Sequence, residues 1–245
     1  MKAIHRMIVA IILLLTALCM PVHAGLLDDL SSVLDEAGGS PTHNLDDSTI
    51  ARGLREALAT GTARAVSAVS LRDGYYGNQM IKILLPERIR RSADLLARFG
   101  FQQQVDDFVL SMNRAAESAA PRATEYFVDA LKAMTFDDAR AILQGDATSA
   151  TKYFRLKTGN KIYAAFKPVV VAHMEEAGVS RYYSQMMAKI DTIPFAGAVG
   201  TFDLDDYVTT KAVDGLFSTL GEEEKKIRTD PAARGTELLK KVFGR

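Results

Sequence analysis

The chain of 245 residues contains one cysteine, no tryptophan and four histidines, and its formal charge is zero. Each scarcity closes a class of function. A single cysteine, Cys19, makes no internal disulfide and no thiolate metal cluster. Four scattered histidines give no ligand set at metal-binding spacing. A balance of 30 basic and 30 acidic residues exerts no general pull on nucleic acid or anionic lipid. No apolar run is long enough for a membrane span, which needs about 20 residues; the longest, Met7 to Cys19, is interrupted by Thr16.

That short run has a different meaning. Lys2 and Arg6 precede it, and Pro21-Val22-His23-Ala24 follows with small or apolar side chains at the positions a signal peptidase reads. Residues 1–24 therefore read as a secretory signal, cleaved after Ala24, with a retained or lipid anchor as the alternative, and the chain as an exported protein. Export removes Cys19, His5, His23, Lys2 and Arg6, which leaves 28 basic against 30 acidic residues, a net charge of −2. The remainder is long enough to bury a core without disulfides.

What is present is helical periodicity. Leu26, Leu27, Leu30, Val33, Leu34 and Ala37 recur at helical spacing opposite Asp28, Asp29, Asp35 and Glu36. This predicts an amphipathic helix over 25–37, and the linker 38–45 contains Gly38-Gly39-Ser40-Pro41. From residue 46 to 245 the pattern predicts one all-α domain, an irregular orthogonal bundle of many helices. Its first helix ends at Ser70. A second starts at Pro86, buries Leu85, Ile89, Leu96 and Phe99, and stops at Gly100. Phe108, Met112, Ala116 and Ala119 mark a third, and Phe127, Ala130 and Leu131 a fourth. Thr135 caps a short helix whose first turn holds Asp137 and Asp138. A long helix follows to Gly178, a further one runs from Ser180 to Ile190, and Asp203 or Thr201 starts the next. Glu222–Lys226 and Glu224–Arg228 are acid-before-base pairs expected on an exposed helix. Leu238, Leu239, Val242 and Phe243 form a closing apolar edge.

Several catalytic patterns occur by composition alone. Ser149 to Lys152 fits S-x-x-K and Lys157-Thr158-Gly159 fits K-T-G, but both fall on one predicted helix and cannot face each other across a substrate. Tyr153 and Lys157 share a helix face without the glycine-rich strand-to-helix turn a nicotinamide enzyme requires. Asp203, Asp205 and Asp206 lack the spacing of a calcium loop and suit a helix N-terminus. No cofactor or metal is expected.

The stretch Asp73–Arg91, "DGYYGNQMIKILLPERIRR", is the candidate binding site. Tyr75 and Tyr76 lie between Gly74 and Gly77, so one ring turns inward and the other faces solvent or a partner. Arg88, Arg91 and Arg98 fall within about 80° on one helix, interleaved with Glu87 and Asp94. Tyr182-Tyr183 repeats the tyrosine pairing. Tyr75, Tyr76, Asn78, Arg88, Arg91, Tyr182 and Tyr183 are thus the rim residues of a non-catalytic protein. It would hold an apolar or amphipathic ligand, or an envelope partner, in a groove between helices. Two rivals stand beside this reading. One is an enzyme built on Asn113, Arg114 and Glu117, which lie at the border of a buried stripe; the other is a purely structural oligomer.

The stretches "EALATGTARAVSAVSLRDGYYGNQMIKILLPERIR", "SMNRAAESA", "FVDALKAMTFDDARAILQGDATSATKYF" and "YVTTKAVDGLFSTLGEEEKKIRTDPAARGTELLKKVF", in that order, resemble the bacterial exported domain of unknown function 4197. The resemblance spans the chain from about Leu45, with Gly235 standing where a second threonine is expected. It implies an all-helical bacterial envelope protein, which with the signal places the exported chain in the periplasm, and brings no activity, substrate or catalytic residue.

Overall fold

Helix α1, Asp47–Ser70, forms because Ala51, Leu54, Leu58, Ala65 and Val69 fall on one face, and all five are buried. It opens a computed structural model that describes residues 47–178, 183, 202–233 and 240. The expected signal segment, the helix over 25–37, its linker, the helix from Ser180 to Ile190 (Tyr182 included, Tyr183 excepted) and the apolar edge of Leu238, Leu239, Val242 and Phe243 lie outside these residues. Among the described residues the fold is all-α, with no strand.

After α1 the chain turns through residues 71–81 and runs extended over 82–86. Helix α2, Glu87–Leu96, then starts directly after Pro86, whose missing N–H costs nothing there. A π-turn over Ala97–Phe101 breaks it from α3, Gln102–Ala119. Gly100 favours that break, since its φ of 90° is a conformation that residues with a Cβ rarely adopt. Phe99, expected in the core, is instead 66% exposed, because the turn leaves helical geometry at that residue and points it outward. A 3₁₀ turn at Pro121 joins α3 to α4, Ala123–Ala133. Helix α5, Phe136–Gln144, begins with the predicted cap: Thr135 Oγ1 accepts from the Asp138 amide at 3.1 Å, and Asp138 Oδ2 accepts from the Thr135 amide at 3.0 Å.

Helix α6, Ser149–Glu176, is the axis of the bundle, packed on α3, α4, α5 and α7 (Leu204–Thr229). Its buried residues are Ala150, Phe154, Thr158, Ile162, Phe166, Val170 and Met174, one every fourth position. Four residues turn about 400°, so the stripe advances some 40° per step and about 240° from end to end. The buried side winds around the helix, which lets α6 touch α4 near its start and α3 near its end. Tyr153 Oη donates to the Ala130 carbonyl of α4 at 3.1 Å, whereas His173 meets Ser118 of α3 at 3.3 Å. α7 runs antiparallel alongside: Ala150 meets Glu224, Arg155 meets Asp214 and Tyr163 meets Asp206. Phe127 of α4 ties the centre together, edge-on to Phe154 at 5.3 Å and to Phe217 at 5.9 Å.

The end of α7 is less exposed than its charges suggest. Leu220, Glu224 and Ile227 are buried. Glu222 pairs with Lys225 rather than Lys226, which pairs with Glu223. Glu224, expected on a solvated face, caps α6 across the bundle: its carboxylate accepts from the amides of Ala150 (2.9 Å) and Thr151 (2.8 Å) and from the Arg228 guanidinium (2.9 Å). A carboxylate at a helix N-terminus satisfies orphan donors and meets the positive end of the dipole. That explains why this one is inside.

Candidate functional site

The loop between α1 and α2 is held from beneath by one buried carboxylate. Glu117, 5% exposed on α3, accepts from the amides of Tyr75 (3.1 Å) and Tyr76 (3.2 Å) through Oε1. Its Oε2 accepts from Arg114 at 2.6 Å, and Arg114 reaches on to Asp73 at 2.7 Å. Asp73 sits at a φ of 67°, a strained position for a residue with a Cβ, which that ion pair helps to hold. One turn earlier, buried Asn113 accepts from the Ile83 amide at 2.8 Å and donates to the Ile83 carbonyl at 2.9 Å, copying the pairing of a neighbouring strand.

The two tyrosines divide as their spacing predicts. Tyr75 is wholly buried, and its hydroxyl donates to the Ala212 carbonyl at 2.5 Å. Burial, more than anything else around it, pushes its phenol far above the usual tyrosine range. It fits only because residue 215 of α7 is glycine: a Cβ there would lie 2.5 Å from the Tyr75 ring. Tyr75 therefore supports the loop from inside and presents no surface to a ligand, which corrects its placement on a rim. Tyr76 is half-buried, with Lys82 Nζ 3.8 Å from its ring centroid and the Arg114 guanidinium at 5.9 Å. Asn78 is exposed and organises the turn: its side chain accepts from the Met80 amide and its carbonyl from Ile81 and Lys82.

The extended segment that follows alternates. Ile81 and Ile83 are buried, whereas Met80 and Leu84 are 78% and 56% exposed. Opposite them lies the outer face of α7, carrying Tyr207, Lys211, Asp214 and Ser218 at helical spacing. Between the two walls is a cleft of about 580 Å³, whose lining includes the Glu87–Arg90 ion pair (2.7 Å). Tyr207 bridges the walls through its hydroxyl, which donates to the Leu84 carbonyl at 2.9 Å. The first wall is apolar between residues 80 and 86 except for Lys82, and the second is polar.

Of the predicted rim residues, the structure brings Tyr76 and Asn78 to the loop that leads into this cleft. The side chains of Arg88 and Arg91 lie outside the described residues, although both are on α2 beside it. Tyr183 is elsewhere, half-buried and stacked on Phe108 at 6.2 Å. Lys82, Leu84, Tyr207 and Lys211 line the cleft and were not singled out by sequence; the signal was the short alternation through "MIKIL". A smaller groove of about 320 Å³ between α4 and α6 is lined by Tyr126, Tyr153, Lys157 and Lys161 among others.

Nothing in the catalytic look-alikes is assembled for chemistry. Ser149, Lys152 and Thr158 all lie on α6, and Thr158 is buried with its hydroxyl on the Phe154 carbonyl. Asn113 and Glu117 use their polar atoms on the backbone of the loop, on the Val109 carbonyl and on Arg114. Ser118, His173 and Glu176 form a serine–histidine–carboxylate series, at 3.3 Å and 4.0 Å. It lies on an exposed face outside both clefts, its second step is too long for a hydrogen bond, and the Ser118 amide is inside a helix. Among the described residues no group of three metal-ligating side chains occurs, and no helix is long and apolar enough to cross a membrane.

A family model described as "Protein of unknown function (DUF4197)" matches residues 44–244. No curated protein and no solved structure matches the chain.

Proposed function

Because the chain belongs to the DUF4197 family of proteins of unknown function, which brings no activity with it, we propose its role from geometry: a non-catalytic, exported protein that binds an apolar or amphipathic ligand in the cleft between residues 80–87 and α7. The observation that carries this reading is the pair Met80 and Leu84, 78% and 56% exposed on the wall of a 580 Å³ cleft. Isolated surface apolar residues need no explanation, but two that line one concave wall opposite a polar helix face suit a ligand with both characters. The wall is rigid, since Ile83 is clamped by Asn113 and Tyr75 is locked under α7. Preorganisation of this kind lowers the entropic cost of binding.

Residues 1–24 support export to the periplasm, and the lack of any expected disulfide is compatible with it. Intact-mass measurement of the protein from a periplasmic extract should give a chain that begins at Gly25; a full-length chain retained in the cytoplasm would end the export reading. For the cleft, the methionine methyl of Met80 is a local reporter. Titration of ¹³C-methyl-methionine protein with monomeric dodecyl maltoside should shift the Met80 methyl and leave buried Met112 and Met174 in place. A Met80 signal unmoved up to the micelle threshold would overturn the proposal.

A further inference from the structure

We infer that the cleft selects a single-chain anionic amphiphile, its chain along Met80 and Leu84 and its acidic head at Lys82 and Lys211. This rests on the binding reading above and adds the charge of the ligand. Five charged side chains line the cleft. Arg90 is paired with Glu87 at 2.7 Å, and Asp214 with Arg155 at 2.9 Å. Lys82 and Lys211 have no carboxylate partner among the described residues. Among the described residues each lies over an aromatic ring: Lys82 over Tyr76 at 3.8 Å and Lys211 over Tyr207 at 5.8 Å. An anion is therefore the group the cleft leaves unmatched. Both neighbouring acids are already engaged, so an incoming carboxylate meets two ammonium groups without displacing a salt bridge.

Size decides between a small amphiphile and a polypeptide. Fourteen residues line the cleft, whereas a stable protein interface involves about 20–30 residues a side. A volume of 580 Å³ falls within the roughly 300–1,000 Å³ of small-molecule sites. The exposed apolar strip is only Met80 and Leu84, one chain wide.

The test compares laurate with dodecyl maltoside, both as monomers, on the full exported chain, reading the Met80 methyl. Lys82→Ala/Lys211→Ala is the test variant; Lys82→Met/Lys211→Met keeps the stems, and thermal melts of both confirm folding. An exposed ion pair is worth about 0.2–1 kcal/mol, so two predict laurate binding tighter than maltoside by roughly twofold to thirtyfold. That preference should vanish in both variants while maltoside binding persists. Equal affinity for the two probes, or a laurate preference that survives loss of both lysines, overturns the anion inference and leaves the binding reading intact. No Met80 response to either probe overturns both. A Met80 response only to an acidic amphipathic peptide overturns the inference in favour of a polypeptide occupant.

Discussion

Replacing Glu117 with alanine removes the support of the loop that builds the cleft. The carboxylate is 5% exposed and accepts three hydrogen bonds: two from loop amides and one from Arg114. Alanine leaves the Tyr75 amide buried without an acceptor, at about 1–3 kcal/mol, and the half-buried Tyr76 amide at the lower end of that range. It also breaks a largely buried ion pair, a change that costs about 3–5 kcal/mol when one partner is left behind. Arg114 is partly exposed and keeps Asp73, so the sum should fall near 3–4 kcal/mol rather than at the arithmetic total. Glu117→Gln retains an oxygen for both amides but turns its NH2 toward the Arg114 guanidinium, donor against donor, so it loses that charged hydrogen bond, at about 1.5–3 kcal/mol. Urea unfolding followed by far-UV circular dichroism measures both, as the chain has no tryptophan. Hydrogen exchange adds a local readout: the Tyr75 and Tyr76 amides should lose protection in Glu117→Ala while amides of α6 keep theirs. A Glu117→Ala protein within 1 kcal/mol of wild type, or with both amides still protected, would refute the reasoning.

Other substitutions test neighbouring steps. Gly215→Ala drives a methyl to 2.5 Å from a ring that is fully enclosed, so thermal melts should report a loss of about 3 kcal/mol, the upper end for overpacking. Gly100→Ala meets nothing within 4 Å and pays only for its φ of 90°, about 1–2 kcal/mol by urea unfolding. Thr135→Ala removes the α5 cap, at about 1 kcal/mol. Bonds from the Thr135 amide and hydroxyl hold the Asp138 carboxyl below its usual range. Its stabilisation is therefore present above the unfolded value, near 3.9, and is lost as pH falls through the lower folded one. Melting temperature should drop with acidification below about pH 4, and less steeply in Asp138→Ala.

The helices were legible because period and punctuation agreed. Thr135 with Asp138, Asp203 before α7 and Gly100 after α2 each carry a local signal within four residues. Phe99 misled because it continues the apolar spacing of α2 past the point where Gly100 has already altered the backbone. The site was half legible. Two adjacent tyrosines announced one buried and one exposed ring, yet which ring goes inside depends on Gly215, 140 positions later. The extended wall was missed since its alternation is five residues long and its backbone partner is the side chain of Asn113, not a strand. Glu224 read as a surface charge and Glu117 only as a polar residue at the border of a buried stripe, because their acceptor roles serve amides 41 to 74 residues away.

Native mass spectrometry of protein drawn gently from the periplasm tests the central claim most directly, with Leu84→Asp as the comparison. The account predicts a co-purifying amphiphile on the wild-type chain and a bare chain for the variant, since Leu84 is exposed on the cleft wall and its change leaves the core untouched. A bare wild-type chain, or an adduct that survives Leu84→Asp, would contradict it.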